Sequence, residues 1–299
     1  MIAPDLDYWT NPLTLSNAFL RLDVPQGAGP RILGLRYRDG PNLLAELPDI
    51  VVVNPAGQNY RFLGGHRLWR APEDPLLSYL PEENEMDVQA AGLSLTVTAP
   101  PESQGGLQKS LSLALDADRP RLTLKHAISN VGQAPVTFAA WAITQLVPGG
   151  TAIIPQETED TGLLPNRRLT LWPYTDIQSP HFAWGNRYVR VSANMTSGKL
   201  KLGLPNSRGW LGYWIDGLLF VKSAPFDEAA DYPDGGCSSE VYCGPEFIEL
   251  ETLSPLKTVV PGEQVEHREV WQIYELERLP GDEAGWDALV ARLELDLRD

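Results

Sequence analysis

Glu249 and Glu251 stand two residues apart in Glu246-Phe247-Ile248-Glu249-Leu250-Glu251. Side chains in an extended chain alternate with period two, so both acids share one face and Ile248 and Leu250 the other. Partial desolvation and like-charge crowding on such a face would raise a carboxyl pKa and make a usable general base. The same spacing also suits an exposed sheet face whose acids meet only solvent.

A second stretch, Gly64-Gly65-His66-Arg67-Leu68-Trp69-Arg70-Ala71-Pro72-Glu73, gathers a histidine, two arginines, a tryptophan and a glutamate in ten residues. Paired glycines permit tight or left-handed backbone. Arginine offers a planar fork of donors and tryptophan a flat apolar wall. That mixture suits a sugar, whose hydroxyls need partners and whose C–H face stacks on a ring. The plainer reading is an arginine-rich turn tied to its own carboxylates, with Trp69 in the core.

The four histidines differ. His66 is the strongest functional candidate because of its neighbours. His181 lies in an aromatic stretch with Phe182 and Trp184 and is read as lining a pocket. His126 alternates with Leu122, Leu124 and Ile128, which favours a core histidine with a satisfied hydrogen bond. His267 shares a face with Val265, Glu269, Trp271 and Ile273, and both readings stay open. No GxSxG elbow, phosphate loop or dinucleotide fingerprint is found. No two histidines have helical metal-ligand spacing, so neither a metal nor a cofactor is expected.

The elements that must position these residues are strands. Proline and glycine number 26 each and punctuate short runs rich in β-branched and aromatic residues, the texture of an antiparallel β protein. Leu20, Leu22 and Val24 alternate with Arg21 and Asp23, Arg31 to Tyr37 returns, and Asp39-Gly40 signals a hairpin. Asn54 to Glu85, holding the glycine-opened stretch, reads as a long loop, and residues 149–187 read as irregular. Val136 to Val147 is a long strand containing Trp141. One helix is expected: Trp286, Leu289, Val290 and Leu293 recur at helical spacing behind Asp282 as N-cap, sealing one end of a sheet. With no repeat and no linker, residues 1–299 read as one domain, two large antiparallel sheets packed face to face.

The 299 residues carry a formal charge of −15, which argues against a nucleic-acid partner. No run approaches the roughly 18 apolar residues of a membrane span. Met1-Ile2-Ala3-Pro4-Asp5 has no basic or apolar leader character, so a cytoplasmic protein is expected. Cys237 and Cys243 are then expected as free thiols.

Three motifs resemble the galactose mutarotase-like (aldose 1-epimerase-like) superfamily. Gly29-Pro30-Arg31-Ile32-Leu33-Gly34-Leu35 followed by Asp39-Gly40-Pro41-Asn42-Leu43-Leu44 is similar to its opening hairpin. His66 sits in a glycine loop where the family places a substrate-contacting histidine. Leu250-Glu251-Thr252 with Pro261-Gly262-Glu263 downstream is similar to the motif around its catalytic glutamate. The resemblance implies an all-β supersandwich of large antiparallel sheets and an isomerase chemistry. A glutamate, here Glu251, takes the anomeric proton, and a histidine protonates the ring oxygen. The histidine's place falls near Ala139-Ala140-Trp141-Ala142, where Trp141 cannot donate a proton at neutral pH.

The leading expectation is a carbohydrate-active protein of the aldose 1-epimerase-like type that binds a sugar or sugar acid. Its site would use Glu251 and His66 for catalysis, and Arg67, Trp69, Arg70, Trp141, Lys222, Glu249 and His181 for binding. The alternative is a non-catalytic carbohydrate-binding protein, favoured by Trp141 in the acid's place. A third reading is a structural or partner-binding β domain.

Overall fold

The computed structural model describes residues 11–297. The leader reading at Met1–Asp5 falls outside the described residues. Two large antiparallel sheets dominate. The ten-stranded sheet has Trp210–Ile215, Leu218–Ser223, Gln264–Glu275, Arg121–Asn130 and Leu107–Leu115 as consecutive neighbours at its centre. The eight-stranded sheet runs through Leu200–Leu204, Ser239–Cys243, Ile248–Leu253, Val136–Leu146, His66–Ala71 and Arg31–Ile32.

Leu113, Leu122, Leu124, Phe220, Trp271 and Ile273 of the larger sheet meet Leu146, Leu200, Leu202, Val241, Ile248 and Leu250 of the smaller in one buried cluster. Period-two alternation therefore gives each smaller-sheet strand an inner face toward the larger sheet and an outer face. The outer face is also covered: the hairpin Glu46–Val53 with Asn59–Gly64 lays Phe62 and Tyr60 against Trp69.

Two expectations about elements change. Residues 66–71 form a strand, not a loop, paired with Val136–Leu146 on one side and Arg31–Ile32 on the other. Its residues are buried on both faces except Arg70, so no polar/apolar alternation marks it in the sequence. The glycines before it do adopt left-handed backbone, φ 87° at Gly64 and 73° at Gly65. A Cβ on either would fall 1.9 Å from the Ala45 carbonyl oxygen or 2.1 Å from that of Ile32, so only glycine brings the hairpin this close to the sheet.

Residues 149–187 are likewise partly ordered, with strands at Thr151–Pro155, Thr170–Leu171 and Phe182–Trp184. The helix Glu283–Leu293 begins as expected, with Asp282 accepting from the Gly285 N–H. Such a cap contributes about 1 kcal/mol. The helix lies across the outer face of the ten-stranded sheet instead of sealing an end. Trp286, Leu289 and Val290 pack on Ile153, Trp210, Leu219 and Val221. Cys237 and Cys243 are buried and unpaired.

Candidate functional site

The outer face of the eight-stranded sheet carries a cavity of about 290 Å³, lined by Arg67, Trp69, Trp141, Lys201, Tyr242 and Glu249 together with Phe62, Glu73, Tyr79, Tyr174, Lys199 and Phe247. This lies near the small end of the roughly 300–1,000 Å³ typical of small-molecule pockets. Alternation brings Arg67 and Trp69 to the wall from one strand, Trp141 from the next, Glu249 from the third, Tyr242 from the fourth and Lys201 from the fifth, with Gln145, Glu251 and Glu240 buried on the same faces of those strands outside the lining itself.

The acids are held by specific partners. Glu251 Oε2 accepts from the Trp141 indole N–H at 2.6 Å and from Lys201 Nζ at 2.8 Å. Lys201 Nζ also lies 2.7 Å from Glu240 Oε2. Burial works against the Lys201 charge, but Glu240 and Glu251 more than offset it and hold the ammonium well above its usual range. Burial pushes the Glu240 carboxyl well up, against the pull of Lys201.

Glu249 Oε1 accepts from Arg67 Nη2 at 3.1 Å and Gln145 Nε2 at 3.0 Å. Burial pushes the Glu249 carboxyl up to about 7; Arg67 opposes this and Glu251 adds to it. The Arg67 guanidinium is sandwiched by rings, 4.3 Å from the Trp69 centroid and 5.2 Å from that of Phe62. Lys201 Nζ lies 4.7 Å and 4.6 Å from the Trp141 and Trp172 ring centroids.

Several buried polar atoms here have no hydrogen-bond partner among the described residues: Arg67 Nε and Nη1, Trp69 Nε1, Gln145 Oε1 and Glu251 Oε1. A buried polar group left unsatisfied costs about 1–3 kcal/mol. The concentration of such atoms on one face marks a surface suited to a polar solute.

The structure separates the remaining expected site residues from this pocket. His66 is fully buried on the inner face of its strand, one residue and half a pleat from Arg67. Its Nε2 lies 2.8 Å from His126 Nε2 and its Nδ1 2.9 Å from Thr144 Oγ1. Lys222, expected in the pocket, projects from the ten-stranded sheet into the same inter-sheet cluster. Its Nζ reaches Glu269 Oε1 at 2.9 Å, the Ala142 carbonyl at 2.8 Å and Thr144 Oγ1 at 3.0 Å. Thr252 Oγ1 contacts Glu269 Oε1 and His267 Nε2, and Trp271 Nε1 donates to Glu269 Oε2.

Burial pushes all three of these histidines down, His267 to about 3. Lys222 is the main group that opposes burial of Glu269, and holds its carboxyl low. Among the described residues, His66, His126 and Glu269 are close enough together to hold a metal ion. The Lys222 ammonium already supplies Glu269 with a cationic partner.

Arg70 shares the inner face with His66 and Leu68 by alternation and does not line the cavity. His181 sits at the edge of the ten-stranded sheet, Nδ1 2.9 Å from Asn194 Oδ1. Conversely, Tyr79, Tyr174, Lys199, Lys201, Glu240 and Tyr242 join the site without having been singled out in the sequence. For Lys199 and Lys201 the signal was present, two lysines alternating with Leu200 and Leu202 in Lys199-Leu200-Lys201-Leu202.

The sequence matches no family profile and no curated protein. The architecture matches solved structures. A galactose mutarotase-like protein from Lactobacillus casei superposes with a TM-score of 0.57 at 12% identity, covering 88% of this chain and 100% of that one. The chain has the galactose mutarotase-like fold. An aldose epimerase homologue from C. elegans shares that fold at TM-score 0.52 and 11% identity, covering 89% of this chain and 99% of that one. A TPR-domain containing protein from Parabacteroides distasonis matches at TM-score 0.60 and 15% identity over 90% of this chain but 49% of its own. At these identities the galactose mutarotase-like fold is what the chain shares with them.

Proposed function

We propose that the outer-face pocket binds a monosaccharide or sugar acid and that the chain acts as an aldose 1-epimerase-like isomerase. The observation that carries this reading is the group of unpartnered buried atoms on Arg67 and Trp69, which line a cavity walled by Trp69 and Trp141, and on Gln145 and Glu251 of the same sheet face. A hydroxyl-rich ring satisfies such atoms at its edge and meets an indole on its C–H face. Lys199 and the unpartnered Nε and Nη1 of Arg67 at the same cavity suit a substrate bearing a carboxylate. Glu251 is the base in this reading, with Oε1 free to take the anomeric proton. The galactose mutarotase-like neighbours add the prior that this fold is used for sugars.

A second reading, saccharide binding without turnover, is favoured by one observation. Trp141 Nε1 and Lys201 Nζ both donate to Glu251 Oε2, so that oxygen is already occupied by the protein. Anomer exchange followed by NMR on aldoses and uronates separates the two. Exchange lost in Glu251→Gln supports the isomerase. Saturable line broadening without exchange moves the assignment to a binding protein. Neither effect with any saccharide leaves a structural or partner-binding domain.

A further inference from the structure

The isomerase reading leaves one proton unaccounted for. Ring opening needs a base at the anomeric hydroxyl and an acid at the ring oxygen, and no histidine lines the cavity. Burial pushes the Tyr79 and Tyr174 hydroxyls well above their usual range, beyond useful acidity near neutral pH. Lys201 is committed to Glu240 and Glu251. Arginine does not release a proton in proteins.

Glu249 is different. It lines the cavity from the same strand face as Glu251, about 6–7 Å along the strand. That span accommodates two hydrogen bonds of about 2.6–3.2 Å with two sugar oxygens between them. Among the described residues, Glu249 has hydrogen-bond partners at Oε1 alone, Arg67 and Gln145. Those two donors fix the side chain and leave Oε2 for a ligand.

We infer that Glu249 is the proton donor to the ring oxygen, in the role left vacant by Trp141, with Glu251 as its complementary base. This rests on the isomerase reading of the same pocket. Glu251 removes the anomeric hydroxyl proton, the O–H electron pair forms the aldehyde C=O, and the bond from C1 to the ring oxygen breaks. The ring oxygen takes the proton of the Glu249 carboxyl. After rotation about C1–C2 the steps reverse. The Glu249 carboxylate recovers the hydroxyl proton, that oxygen attacks C1 from the other side, and the Glu251 carboxyl returns its proton to the anomeric oxygen. Atoms and electrons balance and no further reactant is needed.

Two carboxyls can divide these roles only if their surroundings differ, and here they do. Glu251 Oε2 has a lysine and an indole as donors, whereas Glu249 has one arginine and one amide. The charged and titratable groups acting on Glu249 are Arg67, Glu251 and Lys201, with Tyr174, Tyr242 and, across the sheet, Lys222 also coupled to it. Burial dominates them and lifts the carboxyl to about 7, where both protonation states are populated near neutral pH.

The test is NMR anomer exchange on a saccharide that the wild type binds, followed from pH 5 to 9 in wild type, Glu249→Gln and Arg67→Met. The expected wild-type profile has a limb near pH 7. Glu249→Gln loses that limb and about 10²–10⁴ in rate, while saccharide affinity changes far less. Arg67→Met moves the limb to higher pH, because the guanidinium that opposes protonation is gone. Such a shift would not follow if Glu249 only positioned Arg67. Wild-type exchange with rate and profile unchanged in Glu249→Gln overturns this assignment alone. Saccharide binding with no wild-type exchange overturns the isomerase reading and this assignment with it.

Discussion

The Trp141 indole N–H reaches Glu251 Oε2 at 2.6 Å, diagonally across the ladder that pairs Val136–Leu146 with Ile248–Leu253. The residue that the resemblance puts in the proton donor's place is thus bonded directly to the group proposed as the base. It also stands 5.6 Å, ring to ring, from Trp69. One side chain serves as a wall of the pocket and as a donor to a buried acid beside it.

Replacing Trp141 separates those two contributions. Trp141→Phe keeps a ring but removes a hydrogen bond to a carboxylate, and should lower stability by about 1.5–3 kcal/mol. Trp141→Ala also empties a buried site and should cost about 3–5 kcal/mol. Urea denaturation midpoints check both, and equal midpoints for Phe and wild type would remove the hydrogen bond's energetic role.

The inter-sheet cluster predicts acid sensitivity with a definite sign. His66, His126 and His267 have folded pKa values below the unfolded value of about 6.5, so the unfolded chain binds more protons as pH falls past it. Their contribution is complete above that pH and is lost below it. Glu249 and Glu240, whose folded pKa values are raised by burial, act with the opposite sign over the same window, so the histidine contribution is isolated in the Glu240→Gln/Glu249→Gln double variant, where unfolding free energy should fall between pH 7.5 and pH 5. Denaturation of that variant at the two pH values measures this, and equal stabilities would contradict the burial of neutral histidines.

How much of this the sequence showed depends on whether a strand is buried on one face or two. The N-cap at Asp282, the apolar stripe through Trp286 and the shared face of Glu249 and Glu251 were legible, because each follows a local period. The strand His66–Ala71 was not, because a central strand covered on both sides shows no alternation. Reading it as a loop placed His66 and Arg67 in one site. The pleat sends them to opposite faces of the sheet. Lys222 was misplaced for a related reason: Leu218–Ser223 belongs to the other sheet, and local pattern does not say which sheet a strand joins.

Lys222 supplies a direct test of that separation. Lys222→Met strands Glu269 without its ammonium partner and should cost about 3–5 kcal/mol, whereas Lys222→Met with Glu269→Met should recover much of the loss. Saccharide affinity of the double variant should stay close to wild type, because both side chains face away from the pocket. Calorimetric titration checks this. Loss of binding in a folded double variant would mean that the inter-sheet cluster shapes the site.

The two cysteines give a simpler check. Burial pushes both thiols up to about 12, which suppresses the reactive thiolate. Neither should label with a disulfide reagent at pH 8 in the native protein, and both should label in denaturant. Rapid native labelling of either would show that its strand opens.

The central claim is that the outer-face pocket performs chemistry on a sugar through Glu251, and anomer exchange by NMR in wild type and Glu251→Gln tests it most directly. The account predicts accelerated exchange in wild type and a loss of about 10²–10⁴ in the variant, with the fold intact. Exchange at the wild-type rate in Glu251→Gln would contradict it.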